Sequence, residues 1–154
     1  MDKQITCCFT GHRDIPESDF LRVKADTESN ILKLYGKGYR NFICGGAVGF
    51  DQLAAEIVLE LRKRLDIKLY LIFPCEGQDK YFTPEQKDAY ERVKEQADGT
   101  HTLYPKYVRG CMHTRNRKMV ENSSACIAYC TKTTGGSAYT VDYATKKGVD
   151  IIRV

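Results

Sequence analysis

The sequence contains no tryptophan, only four prolines and no apolar run near the roughly 18 residues that cross a bilayer. We therefore expect no membrane-spanning segment and no membrane partner. An excess of charge of one sign is also missing, since 24 Lys and Arg against 20 Asp and Glu leave a formal net charge of +4 over 154 residues. This bias is too weak to identify a polyanionic partner.

The seven cysteines are odd in number and form no CxxC pair, which argues against a disulfide framework or a zinc ribbon. Four of them lie inside apolar runs, where cysteine packs as a small buried side chain: Cys7, Cys8, Cys44 and Cys126. Cys111 lies in a loop-like stretch beside basic residues and His113, so it is the one candidate for a reactive thiol. The N-terminus also lacks the features of a signal peptide, and we expect a cytoplasmic protein.

Short apolar runs alternate with amphipathic stretches along the whole chain. The runs predict strands at 5–10, 42–44, 67–73, 102–104, 125–130 and 149–154, and most are continuous, as in parallel strands covered on both faces. The amphipathic stretches predict helices around 19–35, 53–65, 84–97, 113–121 and 136–147. The predicted fold class is α/β, a Rossmann-like three-layer sandwich with a mainly parallel sheet, formed by residues 1–154 as a single domain.

Loops that leave parallel strands for the following helices emerge at one edge of the sheet, where ligands bind. The turn after the first strand is Thr10-Gly11-His12-Arg13. The turn after the second strand is rich in glycine and contains Gly45, Gly46, Gly49 and Asp51. Glycines let the backbone approach a ligand, and the free N–H groups of a helix start attract an anion. A tight turn with Asp51 as an ordinary first-turn residue is the competing interpretation.

Three further loops fall at the same predicted edge. The loop after the third strand carries Gln78 and Tyr81, which suit a base but also suit a simple cover over the sheet edge. The stretch 113–118 places Arg115, Arg117 and Lys118 near a helix start, where phosphate binds well, although a solvated basic face is the usual explanation. The turn Thr134-Gly135-Gly136-Ser137 is a second glycine-rich anion cradle. Together these turns predict a site for a phosphate-bearing small molecule.

The motifs TGHR at 10–13, GGAVGFD at 45–51 and TGGS at 134–137 follow one another as in the SLOG superfamily, which contains the Smf/DprA and LOG proteins. From Ile5 to its end the chain resembles this superfamily, and most closely its small YpsA-like branch. The resemblance implies a Rossmann-like fold whose crevice binds a nucleotide or a nucleotide-derived signal.

The enzymatic LOG branch hydrolyses the N-glycosidic bond of nucleoside monophosphates and has the motifs MHxRK and PGGxGTxxE. Residues 112–116 read MHTRN, so Arg115 matches the motif arginine while Asn116 replaces its lysine. In the second motif Asp142 stands where the glutamate belongs, with a side chain shorter by one methylene. The resemblance therefore leaves open whether the chain is an enzyme.

The leading hypothesis is a sensing or sequestering protein that binds a nucleotide or nucleotide-derived small molecule. The turn residues predicted to bind it are Thr10, Gly11, His12, Arg13, Gly45, Gly46, Gly49, Asp51, Thr134, Gly135, Gly136 and Ser137. Arg115 and Arg117 would pair with phosphate, and Gln78 with Tyr81 would face the base.

The alternative is a phosphoribohydrolase with Asp142 as the catalytic carboxylate and Arg115 as the phosphate clamp. A third option, single-stranded DNA binding, follows from the DprA relatives. The charge of +4 and the lack of aromatics interleaved with a basic stripe argue against any nucleic-acid partner. No metal-ligand spacing surrounds His101 or His113, so we expect no metal and no cofactor. Exposed helix faces leave a homo-oligomer open.

Overall fold

The computed structural model describes residues 1–154, in which strands and helices alternate after a short 3₁₀ turn at Lys3–Ile5. The strands are β1 (Thr6–Gly11), β2 (Asn41–Cys44), β3 (Lys68–Cys75), β4 (Gly99–Tyr104), β5 (Ala125–Tyr129) and β6 (Asp150–Arg153). The α-helices are α1 (Glu17–Gly36), α2 (Phe50–Arg62), α3 (Pro84–Gln96), α4 (Cys111–Glu121) and α5 (Gly136–Lys146). A helix thus connects every strand to the next, as parallel pairing requires.

All strand pairs are parallel, and the order across the sheet is β4-β3-β2-β1-β5-β6. The predicted Rossmann-like α/β fold with a parallel sheet is confirmed. From β1 the chain extends the sheet one way as far as β4, and then returns to add β5 and β6 on the other side. The carboxyl ends of β1 and β5 therefore form a topological switch point, the place where open α/β sheets bind ligands.

The helices cover the two faces of the sheet unequally. Phe9 and Tyr129 belong to the larger buried cluster, which includes apolar residues of α1, α2 and α3. Their strand neighbours Cys8 and Ala128 belong to the smaller cluster, which includes residues of α4 and α5. Because α1 and α5 lie in opposite layers, the loops after β1 and β5 diverge to opposite faces.

Local sequence patterns and strand pairing determine where α3 and β4 begin. A capping box begins α3, since Thr83 Oγ1 accepts from the Gln86 N–H at 3.2 Å and Gln86 Oε1 accepts from the Thr83 N–H at 2.9 Å. β4 begins at Gly99, three residues before the predicted start, because it pairs with β3 from Tyr70 onward. β4 is an edge strand with no buried residue, in which Thr100 and His101 are exposed, and it lacks the apolar run that marks the inner strands.

The cysteines pack as small apolar side chains. The burial predicted for Cys7, Cys8, Cys44 and Cys126 is confirmed, since all four are fully buried. Cys111, the one candidate for a reactive thiol, does not lie in a loop: α4 begins at this residue rather than at His113, and Cys111 is 1% exposed. None of the helices combines the length and the apolarity needed to cross a membrane.

The contact between Gly11 and α2 provides a test of this packing. A Cβ atom on Gly11 would overlap the fully buried ring of Phe50, so we expect Gly11→Ala to lower the free energy of unfolding by about 1–3 kcal/mol. The matched control is Gly36→Ala, where a Cβ meets nothing within 4 Å at the end of α1. This control should be neutral or stabilising by up to about 1 kcal/mol in urea unfolding. Equal effects of the two substitutions would contradict the packing described here.

Candidate functional site

A crevice of about 840 Å³ opens at the switch point, between the first turns of α1 and α5. We call it the switch-point crevice; segments of residues 9–19 and 129–137 line it, together with α4, Ala47 and Asp51. Ten of the predicted site residues are part of this lining: Thr10, Gly11, His12, Arg13, Asp51, Arg115, Thr134, Gly135, Gly136 and Ser137. The structure thus brings the TGHR and TGGS turns together, while their contact with a ligand stays a prediction.

The TGHR turn is fixed by its neighbours on both sides. The His12 N–H donates to the Tyr129 carbonyl at 3.2 Å, and the Phe50 N–H donates to the His12 carbonyl at 3.1 Å. Gly49 has a φ of +79°, and a Cβ there would overlap the carbonyl of Arg13. Gly49 is therefore required for the two turns to meet.

The side chain of Arg115 lies at the base of the crevice and is only 4% exposed. Its Nη1 donates to the carbonyl oxygens of Gly45 and Ile72, and its Nε donates to Asn116 Oδ1 at 2.8 Å. Its Nη2 has a single partner, the Met112 sulfur at 3.8 Å. Burial lowers the pKa of Arg115, but a guanidinium starts from so high a value that it keeps its charge. Arg115 is thus a structural cation with donor capacity left on Nη2.

Asp51 provides the opposite charge in the first turn of α2. It is 7% exposed, and its Oδ2 accepts from the Ala47 N–H at 3.3 Å. Burial raises the pKa of Asp51, and the nearby Arg115 opposes this by favouring the carboxylate. A Cβ on Gly45 would lie 2.6 Å from Nη1 of Arg115, so the glycine leaves room for the guanidinium. Packing against Arg115 therefore explains why the 45–49 turn has glycine at position 45. The glycines of this turn are not part of the crevice lining.

His12 connects the two sides of the crevice. Its Nε2 accepts from the Thr131 N–H at 2.8 Å, which requires an unprotonated Nε2, and its ring lies edge-on to Tyr129 with centroids 5.4 Å apart. Burial, assisted by the charge of Lys132, lowers the pKa of His12 below its ordinary value. A neutral His12 thus holds the loop that leads from β5 to the TGGS turn.

The two helices that begin at the crevice carry different charges. The first turn of α5 contains no acidic residue, and its N-cap Gly135, at φ +99°, supplies no side-chain cap. The first turn of α1 contains Glu17 and Asp19. The free N–H groups of α5 are therefore available to an anion, whereas carboxylates already complement the dipole of α1.

Several predicted site residues lie elsewhere. Gln78 has a buried Oε1 without a hydrogen-bond partner beside Gly46, Tyr81 is 89% exposed, and neither is part of the crevice lining. Arg117 donates to the Tyr139 hydroxyl at 2.9 Å on the outer face of α4. Asp142 forms an exposed ion pair with Lys146 at 2.9 Å on α5. The structure does not bring these four side chains to the crevice.

Sequence reasoning missed several lining residues, chiefly Asp14, Asp19, Tyr129 and Lys132. Tyr129 ends β5 and is 1% exposed, and its hydroxyl donates to Asp19 Oδ2 at 3.5 Å. Its position at the end of an inner strand was the one signal that could have identified it.

The comparisons with known proteins agree with this architecture. A family model described as the YspA SLOG family matches residues 12–150. A UPF0398 protein of Oceanobacillus iheyensis is 27% identical over 107 residues, which cover 68% of this chain and 58% of that protein. The SPbeta prophage-derived protein YoqJ of Bacillus subtilis is 32% identical over 118 residues, covering 68% of this chain and 69% of YoqJ. The chain thus spans less than two thirds of the first of these relatives.

Two solved structures are similar over nearly the whole chain. One is DNA processing protein A from Helicobacter pylori, described for its single-stranded DNA binding mode, with a TM-score of 0.70 and 20% identity over 97% of this chain and 64% of that one. The other is DNA processing protein A (DprA) from Streptococcus pneumoniae, with a TM-score of 0.71 and 17% identity over 98% and 50%. At these identities the likeness shows a common fold.

The expectation against a nucleic-acid partner is wrong, because a fold like this one serves single-stranded DNA binding in a structural neighbour. Net charge misleads here since it averages over the whole surface. His113, Tyr139 and Tyr143 form a row on the surface of α4 and α5, in which the first two are exposed and Tyr143 is half-buried, with successive ring centroids 4.3 Å and 6.5 Å apart. Arg117 and Lys147 lie against this row, which we call the aromatic strip. Aromatic and basic side chains, which do not alternate along the sequence, thus lie side by side on the surface.

The role of His12 predicts a pH dependence. The pKa of His12 is lowered by folding, so the folded state binds fewer protons than the unfolded state once the pH falls below about 6.5, and stability is lost from there downward. Protonation also removes the acceptor of the Thr131 N–H. As the pH falls from 7.5 and His12 becomes protonated, we expect the hydrogen-exchange protection factor of Thr131 to fall about fivefold, which corresponds to the loss of one hydrogen bond.

The matched variant is His12→Gln, whose side-chain oxygen accepts the same hydrogen bond and does not titrate. Its protection factor at Thr131 should not change over the same fall in pH, whereas His101→Gln should behave as the wild type. A fall of the same size in His12→Gln would contradict the assigned hydrogen bond.

Proposed function

The chain belongs to the YspA SLOG family, and we propose that it binds a nucleotide or nucleotide-derived small molecule in the switch-point crevice, as a sensing or sequestering protein. The observation that carries this proposal is the bare first turn of α5, where Gly135, Gly136 and Ser137 line the crevice. Helix starts of this kind bind phosphate through backbone N–H groups.

Cations around this helix start support the assignment to phosphate. Arg13 and Lys132 line the crevice, and their side chains have no ion pair or hydrogen bond within the chain. The buried Arg115 adds a third positive charge at the base of the crevice, with hydrogen-bond donor capacity left on its Nη2. Exposed Arg and Lys side chains can close over an anion, while Arg115 is held in place from the start.

The contacts of Asp142 and Arg115 disfavour the phosphoribohydrolase alternative. Asp142 is not among the lining residues and is paired with Lys146, and the guanidinium of Arg115 is largely occupied by backbone carbonyls. A carboxylate that acts on a glycosidic bond must lie next to it. Binding without hydrolysis therefore accounts better for the geometry.

Single-stranded DNA binding is the second candidate, and the aromatic strip is the observation that favours it. Bases stack on exposed aromatic rings while neighbouring cations follow the phosphates. Tyr139 is 37% exposed, between His113 and Tyr143, and Arg117 and Lys147 supply the positive charge. This surface lies on the α4–α5 face and does not depend on the crevice.

A charge added to the first turn of α5 tests nucleotide binding. Ser137→Asp places a carboxylate at the second residue of α5, where it favours the helix dipole by about 0.3–1 kcal/mol but repels phosphate. In calorimetry with inorganic phosphate and ribonucleoside mono-, di- and cyclic phosphates, we expect any binding ligand to lose at least about tenfold in affinity. The melting temperature should be equal to or above that of the wild type.

Ser18→Asp is the matched control, since it adds the same charge at the second residue of α1, outside the crevice lining. This variant should bind as the wild type does. The proposal is contradicted when none of the phosphate-bearing compounds binds, or when Ser137→Asp binds them unchanged.

The aromatic strip has its own test. We expect Tyr139→Ala to weaken binding of a fluorescent single-stranded oligonucleotide by about five- to 150-fold, since stacking on one base contributes about 1–3 kcal/mol. Phe20→Ala is the control, because Phe20 is 39% exposed and belongs to α1, in the opposite layer. Fluorescence anisotropy at two salt concentrations measures both. Absent binding, or equal binding by the two variants, would remove this candidate.

A further inference from the structure

The switch-point crevice contains a second chemical environment besides the phosphate end. Tyr129 and Asp19 line it on the side of α1, in the layer opposite α5. Tyr129 is 1% exposed, yet its hydroxyl has only one contact, to Asp19 Oδ2 at 3.5 Å. That separation is at the long limit for an O–H···O bond, which normally measures about 2.7 Å.

The carboxylate of Asp19 can accept further hydrogen bonds. Its Oδ2 receives this one long bond, and its Oδ1 receives none. Asp14 also lines the crevice from the loop before α1. With the carboxylates of Asp14 and Asp19 lining it, this end repels phosphate and favours groups that donate hydrogen bonds.

The two ends therefore orient a ligand across the edge of the sheet. The first turn of α5 has no acidic residue and accepts an anion, whereas the α1 side presents carboxylates and a buried phenol with unfilled hydrogen-bonding capacity. A molecule with a phosphate at one end and vicinal hydroxyls at the other matches both. Ribose is the part of a nucleotide that offers such hydroxyls. Carboxylates bind these hydroxyls by accepting hydrogen bonds from them.

We infer that Asp19 and Tyr129 form the ribose-hydroxyl end of the crevice, so that the ligand is a ribonucleotide rather than a 2′-deoxyribonucleotide. The inference rests on the proposed nucleotide binding and adds its substrate class. The ribose hydroxyls donate to Asp19, and the Tyr129 hydroxyl, held between Asp19 and the ligand, accepts or donates the remaining bond. Removing one hydroxyl leaves the half-buried Asp19 carboxylate, or the buried Tyr129 hydroxyl, without that partner, which a site built to hydrogen-bond a hydroxyl penalises.

The test uses the full chain and calorimetric titration with matched pairs: each ribonucleoside 5′-monophosphate against its 2′-deoxy form, and ribose 5-phosphate against 2-deoxyribose 5-phosphate. We expect the ribo form of a binding pair to bind at least about tenfold more tightly. Asp19→Asn and Tyr129→Phe should reduce this ratio to about twofold or less. Tyr129→Phe keeps the buried ring, so it remains informative where Asp19→Asn alters the helix start.

Glu17→Gln is the control, since Glu17 belongs to the same turn of α1 but lies outside the crevice lining, and it should keep the full ratio. Phosphate compounds that bind with equal affinity in ribo and deoxy forms would overturn this inference and leave the proposed function standing. A ratio that persists in both Asp19→Asn and Tyr129→Phe would overturn the assignment to these residues. Failure of every phosphate compound to bind would overturn the proposed function, and this inference with it.

Discussion

The carboxyl edge of the sheet depends on one buried charge, the guanidinium of Arg115. A buried cation is costly unless acceptors surround it, and here the carbonyls of Gly45 and Ile72 and the amide oxygen of Asn116 supply them. Asp51 balances the charge from the start of α2. These contacts connect the turn after β2, the strand β3 and the helix α4, so the base of the crevice is held together before any ligand arrives.

A fixed base allows the two walls of the crevice to differ in chemistry. On the α5 side, backbone N–H groups and the cations Arg13 and Lys132 favour an anion. On the α1 side, Asp19 and Tyr129 favour hydrogen-bond donors. His12 joins the walls through its bond to Thr131, so protonation of one imidazole loosens the anion-binding side. In the proposed function, the separation of these two environments, rather than net charge, selects the ligand.

The sequence predicted the fold better than it predicted the site. Continuous apolar runs and the glycine turns identified the parallel strands and the edge where ligands bind, because both follow from local chemistry. The direction in which an individual side chain points does not follow from local chemistry. Packing of Val141 and Ala144 against the sheet turns the neighbouring Asp142 outward, although the phosphoribohydrolase alternative requires it as the catalytic carboxylate.

Arg115 and Tyr129 are two further residues whose contacts could not be predicted from the sequence. Helical spacing puts Arg115 on the same face of α4 as the buried Cys111 and Met119, but spacing alone does not show that carbonyls of β3 and of the turn after β2 surround its guanidinium. Tyr129 follows an apolar run and reads as a core residue, and only the strand order places its hydroxyl beside Asp19. Sites that depend on contacts between distant elements need the topology as well as the motifs.

The proposed function places ligand binding at the switch point between β1 and β5. The most direct measurement is ¹⁵N amide chemical-shift mapping during titration of the full chain with each of the four ribonucleoside 5′-monophosphates. Binding at the switch point predicts that the largest shifts occur at residues 135–137 and 11–13. Shifts confined to the α4–α5 aromatic strip, or to the groove between α1 and α2, would contradict it.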